Sequence, residues 1–559
     1  MYAGSLEQQK EESENDPHRD FRPGPGFVTN DEQTRANPRR PNILLILTDQ
    51  LRTDHVGFGG NRDIRTPALD ALAKRSTVFE RTIVANPICM PNRSSILTGR
   101  VPSAHGCIFN DRSLDWNTNT FPRALSAAGY QTGLIGKSHL QHGLSRIVFR
   151  ESDRAPAVIV RESAGWDAWE NAERYIDGPV DVPGDFYGFS HVEFSIGHGD
   201  QVTGHHYRWA LEKGADPKIL SQTVDPKSAT RRRSDEWWQI YEPLVPAEFY
   251  STTFVAERTI AYLEQASRRD QPFMLQCSFP DPHHPFTPPG RYYDAYRAAD
   301  MPVAATFDDP LTDAPEHLRA FKKMAPSKNM VQMFGPTRSQ LQQAMAAEYG
   351  MIEMIDGAVG SVLSALEHLG LADDTIVIFT SDHGDMFGDH GLMLKGTMHY
   401  RGCLEVPLAI SRPGRAGART RSIASSLDLA QTILELTGVP EFGGMQGRSL
   451  VPILDDPTET VRDHVYVEED FPPAEVFPVF PHKVRSVVTD EGRITCYSTG
   501  ETEVFDLRDD PDELVNLAAR ERDPVRCEAL RERMISTLID YSDTARPGVL
   551  PSRGSLGIQ

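Results

Sequence analysis

Pro41-Asn42-Ile43-Leu44-Leu45-Ile46-Leu47-Thr48-Asp49 is an unbroken apolar run closed by a threonine and an acid. A strand with one wet face alternates apolar and polar side chains. A continuous run suits a strand covered on both faces, as in a parallel sheet. Far downstream, Thr375-Ile376-Val377-Ile378-Phe379-Thr380-Ser381-Asp382 repeats the pattern and again ends in an acid. In open α/β sheets, ligands bind beyond the carboxyl ends of the strands, so the two acids are placed to converge on one cation.

Working outward, Thr66-Pro67 reads as a helix start, with a capping hydroxyl and proline in the first turn, and Leu69, Leu72 and Ala73 as its apolar stripe. Phe121 to Gly129 reads as a short helix and Thr132 to Ile135 as the strand after it. Thr253 to Leu263 predicts a helix, Phe273 to Phe279 a strand, and Gln340 to Leu369 a long helix stopped by Gly370. Alternating strands and helices imply an α/β fold with a large, mainly parallel sheet sandwiched by helices. From about 141 to 250 the apolar rhythm weakens among Trp166, Trp169, His198, His205, His206, Trp237 and Trp238, which predicts an insertion or cap over the site. After Val451 short strands (465–467, 485–488, 494–497) precede a helix over 524–541, a smaller α+β subdomain ending in a tail. The expected organisation is a polar N-terminal arm over 1–40, an α/β domain over 41–450 and a C-terminal part over 451–559.

The charge sum is 58 − 79 = −21, which repels phosphate backbones and anionic bilayers, so neither nucleic acid nor membrane is an expected partner. A small anionic substrate stays open, because local cations and a metal can reverse the field inside a pocket. The first forty residues hold no apolar run of signal-peptide type, and Ile43 to Leu47 is too short to span a bilayer. Six scattered cysteines with no CxxC pair suit a reducing cytoplasm, the expected location.

Asp49 or Asp382 alone reads more readily as a turn former; two of them, one continuing as Asp382-His383-Gly384-Asp385, favour a metal, with His383 as an imidazole donor. The deciding segment is Cys89-Met90-Pro91-Asn92-Arg93-Ser94-Ser95-Ile96-Leu97-Thr98-Gly99-Arg100. Taken alone, Cys89 could equally be a buried thiol. With Pro91, Arg93 and Leu97-Thr98-Gly99, it resembles the signature of the type I sulfatases of the alkaline phosphatase superfamily.

That resemblance implies conversion of Cys89 to formylglycine (3-oxoalanine) by a formylglycine-generating enzyme. Hydrated to a geminal diol, this residue attacks with one hydroxyl and expels the esterified group when the aldehyde reforms. It further implies that Gly136-Lys137-Ser138-His139 supplies an anion-binding lysine and a histidine assisting breakdown of the intermediate. By the same likeness, His283 in Pro282-His283-His284-Pro285 meets the leaving-group oxygen and Lys395 is a second anion-binding lysine. A short helix opening near Pro91 would aim amides at the anion, with Arg93 one turn from Cys89. The closing segments Glu503 to Leu507 and Asp510 to Leu517 also resemble the family's.

Two departures matter. Asp49-Gln50 stands where many sulfatases carry paired aspartates, and Asp382-His383 where they carry Asp-Asn. All-oxygen cages favour calcium, whereas a nitrogen ligand suits manganese. One divalent ion is therefore expected on Asp49, Asp382, His383 and the residue at 89, with Mn2+ favoured and Ca2+ open. The pattern resembles the arylsulfatase, phosphonate monoester hydrolase and choline sulfatase branch, which adds Gln50 and Asn110 as substrate-binding amides. The expected activity is sulfate ester hydrolysis of arylsulfatase type, with phosphonate monoester or phosphodiester hydrolysis as the alternative. A homo-oligomer, dimer or tetramer, is expected from the terminal extensions.

Overall fold

Ile43, Leu45 and Leu47 face one side of the central sheet and Leu44 and Ile46 the other, and all five are essentially without solvent exposure. The first set packs with Met90, Ile96, Phe121, Leu125, Leu429 and Ile433; the second with Phe254, Leu263, Ile352, Ile355 and Val359. Two apolar layers on one strand explain the unbroken run, and each fully buried Leu or Ile contributes about 1.5–3 kcal/mol. The structure is a computed structural model that describes residues 40–542 except 111, 143–164, 221–230, 235, 327–332, 472–480 and 520–521.

Among the described residues the main sheet has nine strands: β1 (Asn42–Thr48), β2 (Thr77–Phe79), β3 (Gln131–Gly136), β4 (His191–Ile196), β5 (Thr203–Gly204), β6 (Phe273–Ser278), β7 (Thr375–Ser381), β8 (Leu408–Ser411) and β9 (Ala418–Thr420). Their spatial order is β9-β2-β8-β7-β1-β6-β3-β4-β5. The five in the middle, β7-β1-β6-β3-β4, are mutually parallel, with Asn42 opposite Thr375 and Ile43 opposite Met274. Five carboxyl ends therefore open on the same edge. The fold is the alkaline-phosphatase-like sandwich expected, with a C-terminal subdomain. In that subdomain β10 (His464–Asp470), β11 (Lys483–Thr489), β12 (Gly492–Tyr497) and β13 (Thr502–Asp506) form an antiparallel sheet. The helix Pro524–Tyr541 packs on it through Cys527, Leu530 and Met534.

Two local expectations need adjusting. The long helix runs Arg338–His368, two residues earlier than its apolar pattern. Thr337 and Gln340 close a capping box: the Gln340 amide donates to Thr337 Oγ1 at 3.2 Å and the Thr337 amide to Gln340 Oε1 at 2.8 Å. Thr66 does not cap the helix Pro67–Lys74 with its hydroxyl, which instead accepts from the Gly57 amide. The carboxylate of Asp356, on the long helix, takes the Ala68 and Leu69 amides at 3.1 and 2.8 Å.

The stretch read as an irregular cap supplies β4 and β5 to the sheet. Val192, Phe194 and Ile196 alternate with His191, Glu193 and Ser195, a period-two pattern of a strand near the sheet edge. Of the tryptophans there, Trp237 is core, packed on Phe286 and Phe334. All of the N-terminal arm but Arg40, the tail from 543 and residues 143–164 of the insertion lie outside the described residues. No helix among the described residues is long and apolar enough to cross a membrane.

Asp356→Ala removes both acceptors at the start of the first helix. It should cost about 1–2 kcal/mol, the usual worth of an N-terminal cap, with Asp356→Asn milder; urea unfolding of the three proteins measures it.

Candidate active site

Each of the five parallel strands delivers a side chain to the shared edge. Asp49 follows β1, Asp382 follows β7, Lys137 follows β3, His283 lies on the loop after β6 and His198 on the loop after β4. Gly136 (φ 106°) permits the closest approach, because a Cβ there would stand 1.8 Å from the Ser278 carbonyl oxygen. The next amide, of Lys137, donates to that carbonyl at 2.9 Å.

The helix Cys89–Thr98 begins at Cys89, two residues earlier than Pro91, and ends at Gly99 in the left-handed conformation. No side chain of its N-cap residue closes its first turn; Asn110 Oδ1 does so, accepting the Met90 amide at 3.1 Å. That contact engages one end of the Asn110 amide expected to meet substrate. Cys89 Sγ lies 3.1 Å from His383 Nε2 and 3.9 Å from Asp49 Oδ1. Asp49, Cys89, Asp382 and His383 each offer a ligand atom, all within 4.8 Å of one another, and all four are buried. His383 Nδ1 donates to the Gly384 carbonyl at 2.8 Å, which leaves the Nε2 lone pair turned to this cluster. The donor set therefore fits one divalent ion: two carboxylates and a correctly oriented neutral imidazole.

Arg93 binds the two acid loops together. Its Nε donates to Asp382 Oδ2 at 2.6 Å, Nη2 to Asp49 Oδ2 at 3.3 Å, and Nη1 to the Lys137 carbonyl and Ser278 Oγ at 2.9 and 3.0 Å. Lys137 Nζ donates to Asp49 Oδ2 and to His198 Nε2. Gln50 is engaged at both ends: Nε2 donates to Asp385 Oδ2 at 2.8 Å and His284 Nδ1 at 3.2 Å, and Oε1 accepts from Lys395 Nζ. His139 packs edge-on to His198, and its buried Nδ1 has no hydrogen-bond partner among the described residues. All the residues predicted for the site thus gather around the one strand edge.

The C-terminal sheet touches this assembly. The Glu468 carbonyl accepts from Asn86 Nδ2 at 2.6 Å, just before the Cys89 helix, and Glu469 Oε2 accepts the Thr397 amide at 2.8 Å, two residues past Lys395.

Burial pushes the Asp49 carboxyl up, but Lys137, Arg93 and His383 outweigh it and hold it well below the usual carboxylate range. Burial, reinforced by Asp49, pushes the Cys89 thiol up to about 11. Burial lowers His383 to about 4 against the pull of Asp382. His139 and His283 are also driven well below 6.5, chiefly by burial and then by neighbouring basic groups, Lys137 for the first and His198 for the second. The imidazoles are therefore neutral at pH 7, and Cys89 is a thiol with little thiolate character.

The family profile described as "Sulfatase" matches residues 41–439. The chain belongs to the sulfatase family. A second profile, "N-sulphoglucosamine sulphohydrolase, C-terminal", matches residues 388–540 of this sulfatase. An arylsulfatase of Clostridium perfringens is 30% identical over 509 residues, 89% of this chain and 94% of that protein. A choline-sulfatase of Rhizobium meliloti is 26% identical over 87% of this chain and 84% of that one. The crystal structure of the phosphonate monoester hydrolase of Agrobacterium radiobacter matches with a TM-score of 0.73 at 26% identity, covering 90% of this sulfatase and 96% of that chain.

Of the side chains gathered here, His198, Ser278, His284 and Asp385 carry no role in the sequence reading. The available signal for His198 was its setting, Gly197-His198-Gly199-Asp200, directly after an alternating strand.

Arg93→Ala leaves two buried carboxylates without their guanidinium. Loss of one partner of such a network should cost about 3–5 kcal/mol, with Arg93→Lys intermediate because an ammonium cannot reproduce the planar fork. Denaturant unfolding of the metal-free proteins reads this apart from catalysis.

Proposed function

We propose that this sulfatase hydrolyses sulfate esters of arylsulfatase type, using formylglycine made from Cys89 and one divalent metal on Asp49, Asp382, His383 and the residue at 89. The observation that carries the reading is the buried four-residue cluster with Cys89 Sγ 3.1 Å from the free lone pair of His383. A bound metal would supply Lewis acidity at the esterified group.

The remaining roles follow from charge and position. Arg93, Lys137 and Lys395 bring three cations to a pocket that also holds Asp49, Asp382 and Asp385, and a bound divalent ion would tip that balance toward attracting an anion although the whole chain is acidic. Lys137 and Lys395 would hold the ester's anionic oxygens. His283 donates through Nδ1 to the His284 carbonyl, so it would have to carry a second proton, on Nε2, to donate to the leaving-group oxygen, and His139 would serve the intermediate. Gln50 would orient Lys395, and Asn110 Nδ2, which meets no acceptor among the described residues, would be offered to the substrate. Cys89 is 1% exposed, so the formylglycine-generating enzyme would act before folding closes the site. The six free thiols support action in a reducing compartment. Homo-oligomer formation, as dimer or tetramer, remains part of this reading.

A second reading, phosphonate monoester or phosphodiester hydrolysis, is favoured by the imidazole in the metal set and by the likeness to the phosphonate monoester hydrolase. Sulfate monoesters, phosphonate monoesters and phosphate diesters all carry one negative charge, so a site tuned for one can admit the others.

Three measurements test this. In protein from its native host, the tryptic peptide containing Cys89 should be lighter than its thiol form by about 18 Da, as oxidation to the aldehyde requires; finding only thiol would remove the nucleophile. Elemental analysis should find near-stoichiometric manganese, and calcium without manganese would overturn the ligand argument. Among p-nitrophenyl sulfate, phenyl phosphonate monoester and bis-p-nitrophenyl phosphate, the sulfate should give the highest kcat/KM. A phosphonate or diester ahead by orders of magnitude would establish the second reading.

A further inference from the structure

Lys137 Nζ has three N–H bonds to direct. One goes to Asp49 Oδ2 and one to His198 Nε2 at 2.6 Å; among the described residues no third acceptor meets it. An ammonium only donates, so His198 Nε2 carries the lone pair in this contact and the ring is neutral. Two fixed acceptors around a tetrahedral nitrogen define where the remaining N–H points.

His198 is itself held. Its ring lies on that of His283 with centroids 3.7 Å apart and planes 19° from parallel. His283 stacks in turn on His284 at 4.0 Å and 24°. His284 Nδ1 accepts from Gln50 Nε2 at 3.2 Å, and Gln50 Oε1 accepts from Lys395 Nζ. A column of three imidazoles and one amide therefore runs without a break from one anion-facing lysine to the other. Burial, followed by the Lys137 charge, drives His198 well below 6.5, in keeping with its acceptor role.

We propose that His198 is a positioning residue for Lys137: its Nε2 aims the ammonium's third N–H at an oxygen of the bound anion, and the histidine column sets the spacing between Lys137 and Lys395. The inference rests on the assignment of Lys137 and Lys395 as anion-binding groups. It deepens that assignment by placing selectivity for the esterified group in the loop after β4.

The test exploits atom position. Glutamine at 198 can bring Oε1 to where Nε2 lies, asparagine is too short, and phenylalanine keeps a ring to stack on His283 but offers no acceptor. With the metal-loaded, formylglycine-bearing enzyme, His198→Phe, His198→Asn and His198→Ala should lower kcat/KM for p-nitrophenyl sulfate about 10- to 100-fold, the range for losing one hydrogen bond to a charged group. The dissociation constant of inorganic sulfate, by calorimetry, should rise in parallel, and His198→Gln should recover most of both losses. Glutamine no better than phenylalanine, or all variants within about twofold of the parent, a change too small for a lost charged hydrogen bond, would overturn the proposal. If the parent enzyme cleaves no sulfate, phosphonate or diester substrate, the functional reading fails. Sulfate and phosphate titrations of the same variants then still decide whether His198 directs Lys137.

Discussion

A single guanidinium holds the site's architecture in place. Arg93 reaches Asp49 at the end of β1, Asp382 at the end of β7, the Lys137 carbonyl past β3 and Ser278 at the end of β6. Four strand ends are tied by one planar group with fixed donor directions, a task that ammonium cannot perform. Because the carboxylates are fully buried, the arrangement would be expensive without that charge, and the network is worth most as geometry: it fixes the distance between the two acids. The helix that carries Arg93 also carries Cys89 one turn earlier, so whatever sets the guanidinium sets the position of Cys89 too.

Parallel β topology makes this possible. Five neighbouring strands of one direction open on one edge, so residues far apart in the chain become neighbours there without long excursions of backbone. The edge is also where glycine and left-handed residues collect: Gln50 and His139 have φ near 60°, and Gly136 passes within contact of the adjacent strand end. Backbone of that kind lets side chains of successive residues turn into the cavity rather than alternate above and below the sheet.

Much of this was legible in the amino-acid order, for a physical reason. A strand buried on both faces must be apolar throughout, so β1 and β7 announce themselves, and the acid that ends each marks the functional edge. The Cys89 segment is equally visible, since its residues lie on one short helix, with Cys89 and Arg93 a turn apart. What escaped was set by partners distant in the chain. Thr66 has the form of a cap, yet Asp356 on a remote helix takes the role, and no local rule reports that competition. The strand leading into His198 alternates clearly, but the polar residues around it masked the pattern and suggested a cap. His198 then matters only because β4 pairs beside β3, a fact of sheet order that the sequence does not display.

The contacts of Glu468 and Glu469 change how the chain's apparent modules should be regarded. One backbone carbonyl of β10 steadies the approach to Cys89, while the neighbouring carboxylate receives the loop that bears Lys395. The seam visible in composition near residue 450 is accordingly not a place to divide the protein. A fragment ending there would keep the side chains gathered at the strand edge and lose the two contacts, to Asn86 and to the Thr397 amide, that the smaller sheet makes beside them.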